Sequence, residues 1–85
     1  MPELMEDRVF DASGLMCPMP VVKAAREMKA LEPGQILKII ATDRGSIADI
    51  PAWVSDTGNE LLSSSVDGSK FIFFVRKSGA VDHQG

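Results

Sequence analysis

The single cysteine of the chain, Cys17, stands in the stretch GLMCPMP, between a turn-forming glycine and two prolines. Prolines suit the first turn of a helix, where backbone amides have no intrahelical acceptor, so Pro18 and Pro20 place Cys17 at a helix N-cap. The partial positive charge at the start of a helix favours the thiolate, which is the reactive form of cysteine. We expect an exposed thiol. Its activation should be only moderate, because the prolines remove amide donors from the start of the helix.

No second thiol accompanies Cys17, and the motif C-P-x-P carries proline where a C-x-x-C redox motif carries its second cysteine. A sulfur atom accepted by Cys17 as a persulfide would therefore stay there until a thiol of another protein removed it. This arrangement suits a sulfur carrier better than a disulfide reductase. Burial of Cys17 as a small hydrophobic side chain is the alternative interpretation.

The other residues add little catalytic chemistry. The one histidine, His83, lies near the end of the chain, so a Cys–His hydrolase is poorly supported. One thiol and one imidazole are too few ligands for a metal site.

Length and composition indicate one small globular domain. The chain has 85 residues, of which 45% are hydrophobic and 25% are charged, and its net charge is −3. The acidic balance disfavours direct nucleic-acid binding, which depends on basic residues. No apolar run approaches the roughly 20 residues of a membrane span, and neither a secretory signal nor a disulfide pair is evident, so we expect a cytoplasmic protein. We expect the domain at residues 8–78, with flexible tails at residues 1–7 and 79–85.

Apolar periodicity and turn residues divide this domain into strand, helix, strand, helix, strand and strand. Helices that alternate with strands and end in a hairpin favour an α/β fold. We predict a two-layer α/β sandwich in which a mixed four-stranded sheet carries both helices on one face. The predicted strands are residues 9–12, 36–41, 61–66 and 70–77, and the predicted helices are residues 18–31 and 46–57.

Three local signals define the ends of these elements. Ser46 and Asp49 resemble a capping box at the start of the second helix. Pro51 lies inside the same helix and should kink or shorten it, because proline has no amide donor. The dipeptide Asp67-Gly68 predicts a tight hairpin turn between the last two strands.

The last predicted strand is apolar on both sides. Phe71, Phe73 and Val75 share one face, whereas Ile72 and Phe74 share the other. One face must pack against the helices. The other face is either covered by the tails or exposed, and an exposed apolar patch often marks a partner surface.

The stretch FDASGLMCPMP resembles the opening of the TusA/SirA-like sulfur-carrier proteins, whose pattern is approximately L-D-x-x-G-x-x-C-P-x-P. Phenylalanine replaces the usual leucine, and EPGQILKIIATD and DIPAW resemble the family's second strand and second helix. The resemblance covers residues 9–77. We expect the aspartate of the pattern to organise the loop before the cysteine. The pattern falls on Asp11, Gly14, Cys17, Pro18 and Pro20.

The resemblance implies a sulfurtransferase-like carrier. Cys17 would accept sulfane sulfur as a persulfide from a cysteine desulfurase or a rhodanese-like donor and pass it to a thiol-bearing acceptor protein. Destinations known in the family are tRNA thiolation, molybdenum-cofactor biosynthesis and sulfur oxidation. We expect no cofactor besides the covalently held sulfur. A regulatory or redox-sensing interaction module is the alternative function.

The resemblance also implies a partner surface around the cysteine and the end of the second strand. Met16 and Met19 flank the cysteine, and flexible methionine side chains can repack against several partners. Asp43 matches an acidic position of that surface. Arg26 stands beside Ala25, where the family can have a basic residue. We expect protein partners only, no membrane contact, and a monomer or weak dimer.

Overall fold

The structure is a computed structural model, and it describes residues 5–16 and 18–78. Cys17 and most of the two predicted tails, residues 1–4 and 79–85, lie outside the described residues. The order of the six elements confirms the order predicted from the sequence. The elements are β1 Arg8–Ala12, α1 Met19–Lys29, β2 Ile36–Ala41, α2 Ser46–Thr57, β3 Glu60–Asp67 and β4 Lys70–Arg76.

The four strands form one mixed sheet with the order β1-β2-β4-β3. β1 runs parallel to β2, which places Ala12 opposite Ala41 where both strands end. β4 is antiparallel to both β2 and β3. A helix that connects two parallel strands runs back along them, so α1 and α2 both begin where β1 and β2 finish. We call this part of the molecule the carboxyl end of the sheet.

Both helices pack on one face of the sheet, as predicted. Successive residues of a strand point to opposite faces, and β2 shows this clearly. Leu37, Ile39 and Ala41 are buried, whereas the residues between them are half-buried. The buried side chains meet those of the two helices in a single core. The core consists of Ala24, Met28, Leu31, Leu37, Ile39, Ile50, Val54, Phe73 and Val75.

The opposite face of the sheet, which we call the open face, is covered by no helix or strand of the described residues. Phe73 and Val75 are buried on the helix side, whereas Ile72 and Phe74 are half-buried on the open face. This division confirms the prediction for β4. Lys38 Nζ lies 5.6 Å from the centroid of the Phe74 ring, within the range of a cation–π contact.

α1 begins one residue later than the sequence predicted. Pro18, rather than Cys17, is the N-cap, with φ −97° and ψ 13°, and Met19 is the first helical residue. The reason is that the Pro18 carbonyl already accepts the N–H of Val22, at 3.1 Å, while its own backbone angles stay outside the helical region. Pro20 follows in the first turn, where its missing amide proton costs no helical hydrogen bond.

α2 begins at Ser46 itself, so the predicted capping box of Ser46 and Asp49 is wrong: the N-cap is the preceding glycine. Pro51 lies inside α2 but does not shorten it, because a proline removes only one bond of the helical series. The helix continues to Gly58, whose φ of +78° ends it in the left-handed conformation that glycine adopts readily.

The hairpin turn between β3 and β4 lies one residue later than predicted. Asp67 pairs with Lys70 in the ladder, so the two turn residues are Gly68 and Ser69. Gly68 has φ +64°, and positive φ is confined to glycines among the described residues. A positive φ at the first turn residue alone is the pattern of a type II′ turn, which suits tight hairpins.

Asp7 attaches the start of the chain to β2. Its N–H donates to the Ile36 carbonyl and its Oδ2 accepts the Ile36 N–H, each at 2.8 Å. The hydrogen-bonded part of the described chain therefore starts one residue before the predicted domain boundary at residue 8.

Candidate functional site

Most of the site residues predicted from the sequence lie at the carboxyl end of the sheet. Residues 13–16 follow β1, and residues 42–45 follow β2 and lead into α2. The two segments leave the sheet side by side, because Ala12 and Ala41 are paired. Cys17 lies outside the described residues, so the geometry of the site is that of the chain on either side of it.

The segment before Cys17 is a hydrogen-bonded turn. The Leu15 N–H donates to the Ala12 carbonyl at 3.0 Å and closes a turn of four residues. Gly14, the third residue of this turn, has φ +84°. A type II turn needs positive φ at that position, and glycine adopts it without strain. The turn therefore explains the glycine of the sequence motif.

Asp11 holds this turn from β1. Its Oδ1 accepts the Ser13 N–H at 3.0 Å. Hydrogen bonds from the Ser13 hydroxyl and amide hold the pKa of Asp11 below its ordinary value, the Lys70 charge adds to this, and desolvation opposes it. The ionised carboxylate is therefore the form that binds the turn.

Thr42 is a second anchor of the turn, and it was not among the residues predicted from the sequence. Thr42 Oγ1 accepts the Gly14 N–H at 2.9 Å, so the residue directly after β2 binds the turn directly after β1. The β1–β2 ladder ends at the pair Ala12–Ala41, and the threonine side chain continues the connection beyond that pair. Only the pairing of β1 with β2 reveals that these residues meet.

The chain after Cys17 is held as well. The Met19 N–H donates to the Met16 carbonyl at 2.8 Å, which links the residues on either side of positions 17 and 18. Pro20 is fully buried and attaches the first turn of α1 to the core. The backbone is thus hydrogen-bonded both before and after the cysteine.

Exposed apolar side chains are concentrated at the carboxyl end of the sheet. Met16 is 70% exposed and Met19 is 39% exposed, so both methionines that flank the cysteine are accessible. Ile47, in the first turn of α2, and Val66, near the end of β3, are exposed at the same end. Val22 lies one turn beyond Met19 on the same face of α1 and is 47% exposed. We call these five residues the apolar surface.

Arg26 and Asp43 lie in different parts of the molecule. Asp43 is at the carboxyl end of the sheet, where its carbonyl accepts the Ser46 N–H at 3.0 Å. Arg26 is exposed in the last turn of α1, together with Lys29. It shares a helical face with Met19 but stands about 10 Å farther along the helix axis, at 1.5 Å per residue. The predicted site residues therefore form one group at the loop and one basic position beyond it.

The remaining features do not add to this site. A surface pocket of about 350 Å³ lies at the opposite end of the sheet, lined in part by Gly34, Gly58 and Ser78. It contains none of the predicted site residues. Within residues 5–16 and 18–78, no three His, Cys, Asp or Glu residues form a group that could hold a metal ion. No helix of these two ranges is both long and apolar enough to cross a membrane.

Comparison with known proteins relates the chain to sulfur carriers. Residues 8–77 match the family model of sulfurtransferase TusA. The sulfur carrier protein TusA of Allochromatium vinosum is 47% identical over 72 residues, which cover 85% of this chain and 95% of that protein. The sulfur carrier protein TusA of Pseudomonas syringae pv. tomato is 39% identical over 74 residues, which cover 87% of this chain and 88% of that protein.

A solved structure has the same fold. The crystal structure of the SirA-like protein from Desulfitobacterium hafniense matches with a TM-score of 0.73 at 18% sequence identity. The match covers 84% of this chain and 97% of that chain. At this identity the likeness establishes the arrangement of two helices on a mixed four-stranded sheet.

Proposed function

This chain belongs to the TusA sulfurtransferase family, and we propose that it carries sulfane sulfur as a persulfide on Cys17 from a donor protein to an acceptor protein. The observation that carries the proposal is the family match over residues 8–77, which includes the C-P-x-P motif and the only thiol of the chain. The alternative of a regulatory module gains no support from the relatives.

The proposed transfer consists of two thiol–persulfide exchanges. The Cys17 thiolate attacks the outer sulfur of the donor persulfide, the S–S bond of the donor breaks, and the donor cysteine leaves as a thiolate. An acceptor thiolate then attacks the outer sulfur on Cys17, and Cys17 leaves as a thiolate in turn. Each exchange forms one S–S bond and breaks one, so neither step consumes an oxidant or a reductant.

The solitary thiol supports this role over dithiol chemistry. A second cysteine in the chain could attack the persulfide, form an internal disulfide and release the sulfur as sulfide. The chain has one cysteine, so this discharge within one molecule does not arise. The loaded sulfur waits for the thiol of an acceptor protein.

The apolar surface supports docking of protein partners. Met16, Met19 and Ile47 expose flexible or large apolar side chains at the loop that leads to Cys17. These side chains offer contact area to a partner, and we expect the partners to supply the groups that activate the sulfur and exclude water from it. Arg26 and Lys29 continue α1 with positive charge, which suits a partner with an acidic rim.

The chemistry of the partners follows from that of the sulfur. We place a cysteine desulfurase or a rhodanese-like protein before this carrier and a thiol-bearing protein after it. The acceptor would serve tRNA thiolation, cofactor biosynthesis or sulfur oxidation in the cytoplasm. The covalently held sulfur is the only group that the proposal requires on Cys17.

Intact-mass measurement tests the proposal. After incubation with a cysteine desulfurase and cysteine, we expect the chain to gain the mass of one sulfur atom and to lose it on treatment with a thiol reductant. The matched control is Cys17→Ser, which keeps the size of the side chain and should stay unloaded. Loading of Cys17→Ser, or a wild-type chain that neither a desulfurase nor a rhodanese-like donor can load, would contradict it.

A further inference from the structure

One hydrogen bond of the loop before Cys17 differs in kind from the others. Ser13 and Leu15 donate to acceptors two and three positions earlier in the chain, at 3.0 Å each. Gly14 donates to Thr42 Oγ1, which lies 28 positions away, at 2.9 Å. The two local bonds shape the turn, whereas the bond to Thr42 attaches the turn to the end of β2.

We propose that Thr42 is a positioning residue for Cys17. Thr42 acts by holding the turn before Cys17 against the sheet. The inference rests on the proposed function, because transfer between two proteins is what requires a fixed cysteine. Each exchange needs the attacking sulfur, the transferred sulfur and the leaving sulfur in line, so a small displacement of the loop lowers the rate strongly.

Hydrogen bonds of the described residues hold the chain on both sides of position 17. Thr42 holds Gly14, and the Met16–Met19 hydrogen bond carries the chain across position 17 into α1. Gly14 is exposed, so water can replace the threonine hydroxyl as its acceptor. Loss of the hydroxyl should therefore leave the fold intact while it frees the turn to move relative to β2.

Three variants separate positioning from folding. Thr42→Val removes the acceptor at constant shape, and Thr42→Ser keeps the acceptor. Thr57→Val makes the same chemical change at the far end of α2, where the Thr57 hydroxyl donates to the Trp53 carbonyl at 2.8 Å. If valine is not accommodated at position 42, as judged by circular dichroism, Thr42→Ala takes its place.

The first measurement is the rate of persulfide loading from a cysteine desulfurase at several carrier concentrations. For Thr42→Val we expect kcat to fall about tenfold while KM changes less than about twofold, because the surface that docks is unchanged. Thr42→Ser and Thr57→Val should both load at the wild-type rate. An unchanged kcat, or a change confined to KM, would overturn the inference.

The second measurement needs no donor and so separates this inference from the proposed function. We compare the pH profile of Cys17 alkylation by iodoacetamide among the variants and the wild type. In Thr42→Val the midpoint should differ from that of the wild type, because the thiol sits in a displaced loop, and Thr42→Ser should restore the wild-type midpoint. If the wild type alkylates but never loads, the proposed function fails, and an unshifted midpoint in Thr42→Val would still refute the positioning role.

Discussion

The turn before Cys17 depends on two residues that act in different ways. Gly14 contributes its backbone: a Cβ at this position would meet no atom within 4 Å, so the φ of +84° alone disfavours other residues. Asp11 contributes its charge, because its carboxylate accepts the hydrogen bonds of Ser13. The turn is therefore sensitive to substitution of Gly14 and to a pH low enough to protonate Asp11.

The substitution Asp11→Asn tests the contribution of that charge. Because hydrogen bonding lowers the folded pKa of Asp11 below 3.8, the charge stabilises the fold above this pH and loses its effect as the pH falls through the folded value. We expect the wild type to be the more stable protein at pH 7 and the difference to vanish in acid. Urea unfolding at a series of pH values measures the difference in free energy of unfolding between the two proteins. A difference that persists in strong acid would contradict the expectation.

At the residue scale, the sequence reveals residues that form an unusual local motif. It does not reveal residues whose role depends on a contact with a distant part of the chain. A glycine before a cysteine and two prolines stand out without a structure. Thr42 does not stand out, because its partner is 28 positions away and the pairing of β1 with β2 brings them together. Ile47 and Val66 were missed for the same reason, since only the fold shows that they are exposed at the end of the sheet that carries the loop.

At the element scale, the start of α2 shows how a capping pattern can mislead by one residue. Ser46 and Asp49 have the spacing of a capping box, yet Ser46 is the first helical residue rather than the N-cap. Its hydroxyl is buried and has no partner among the described residues. A sequence pattern cannot decide between two adjacent starting positions, because tertiary packing of the first turn selects one of them.

The substitution Ser46→Ala should therefore leave the protein as stable or raise its free energy of unfolding by up to about 1 kcal/mol, because it removes a buried polar group without a partner. Urea unfolding measures the effect. Ser55→Ala, on the exposed side of the same helix, is the control and reports the helix propensity of alanine alone. Destabilisation by Ser46→Ala would show that its hydroxyl is bonded in solution.

At the scale of the whole molecule, the fold class was predictable because two features of the sequence indicate the same architecture. These are the order of the strands and helices and the apolar pattern that buries one face of the sheet. Strand–helix alternation followed by a hairpin leaves few arrangements, and the two faces of β2 and β4 are already separated in the sequence. The site could be placed at one end only after the parallel pairing of β1 and β2 was known. The assignment of Cys17 comes from the sequence motif and the family match.

A pair of adjacent substitutions in β2 tests the assignment of its faces. Leu37 is fully buried on the helix side, whereas Ile36 lies half-buried on the open face. We expect Leu37→Ala to lower the free energy of unfolding by about 2–5 kcal/mol, a large part of the stability of so small a domain. Ile36→Ala should cost clearly less in the same thermal or urea experiment. Equal losses would mean that something covers the open face in solution.

The common direction of α1 and α2 has an electrical consequence. Each helix carries a dipole whose positive pole is at its start, and the two starts lie together at the carboxyl end of the sheet. The two dipoles point towards the same end and add, so the helix starts contribute partial positive charge at the carboxyl end of the sheet, where Asp43 and Asp49 offset part of it. A negatively charged group that approaches this end of the sheet meets the positive poles of both helices together, whereas one that approaches the opposite end meets their negative poles.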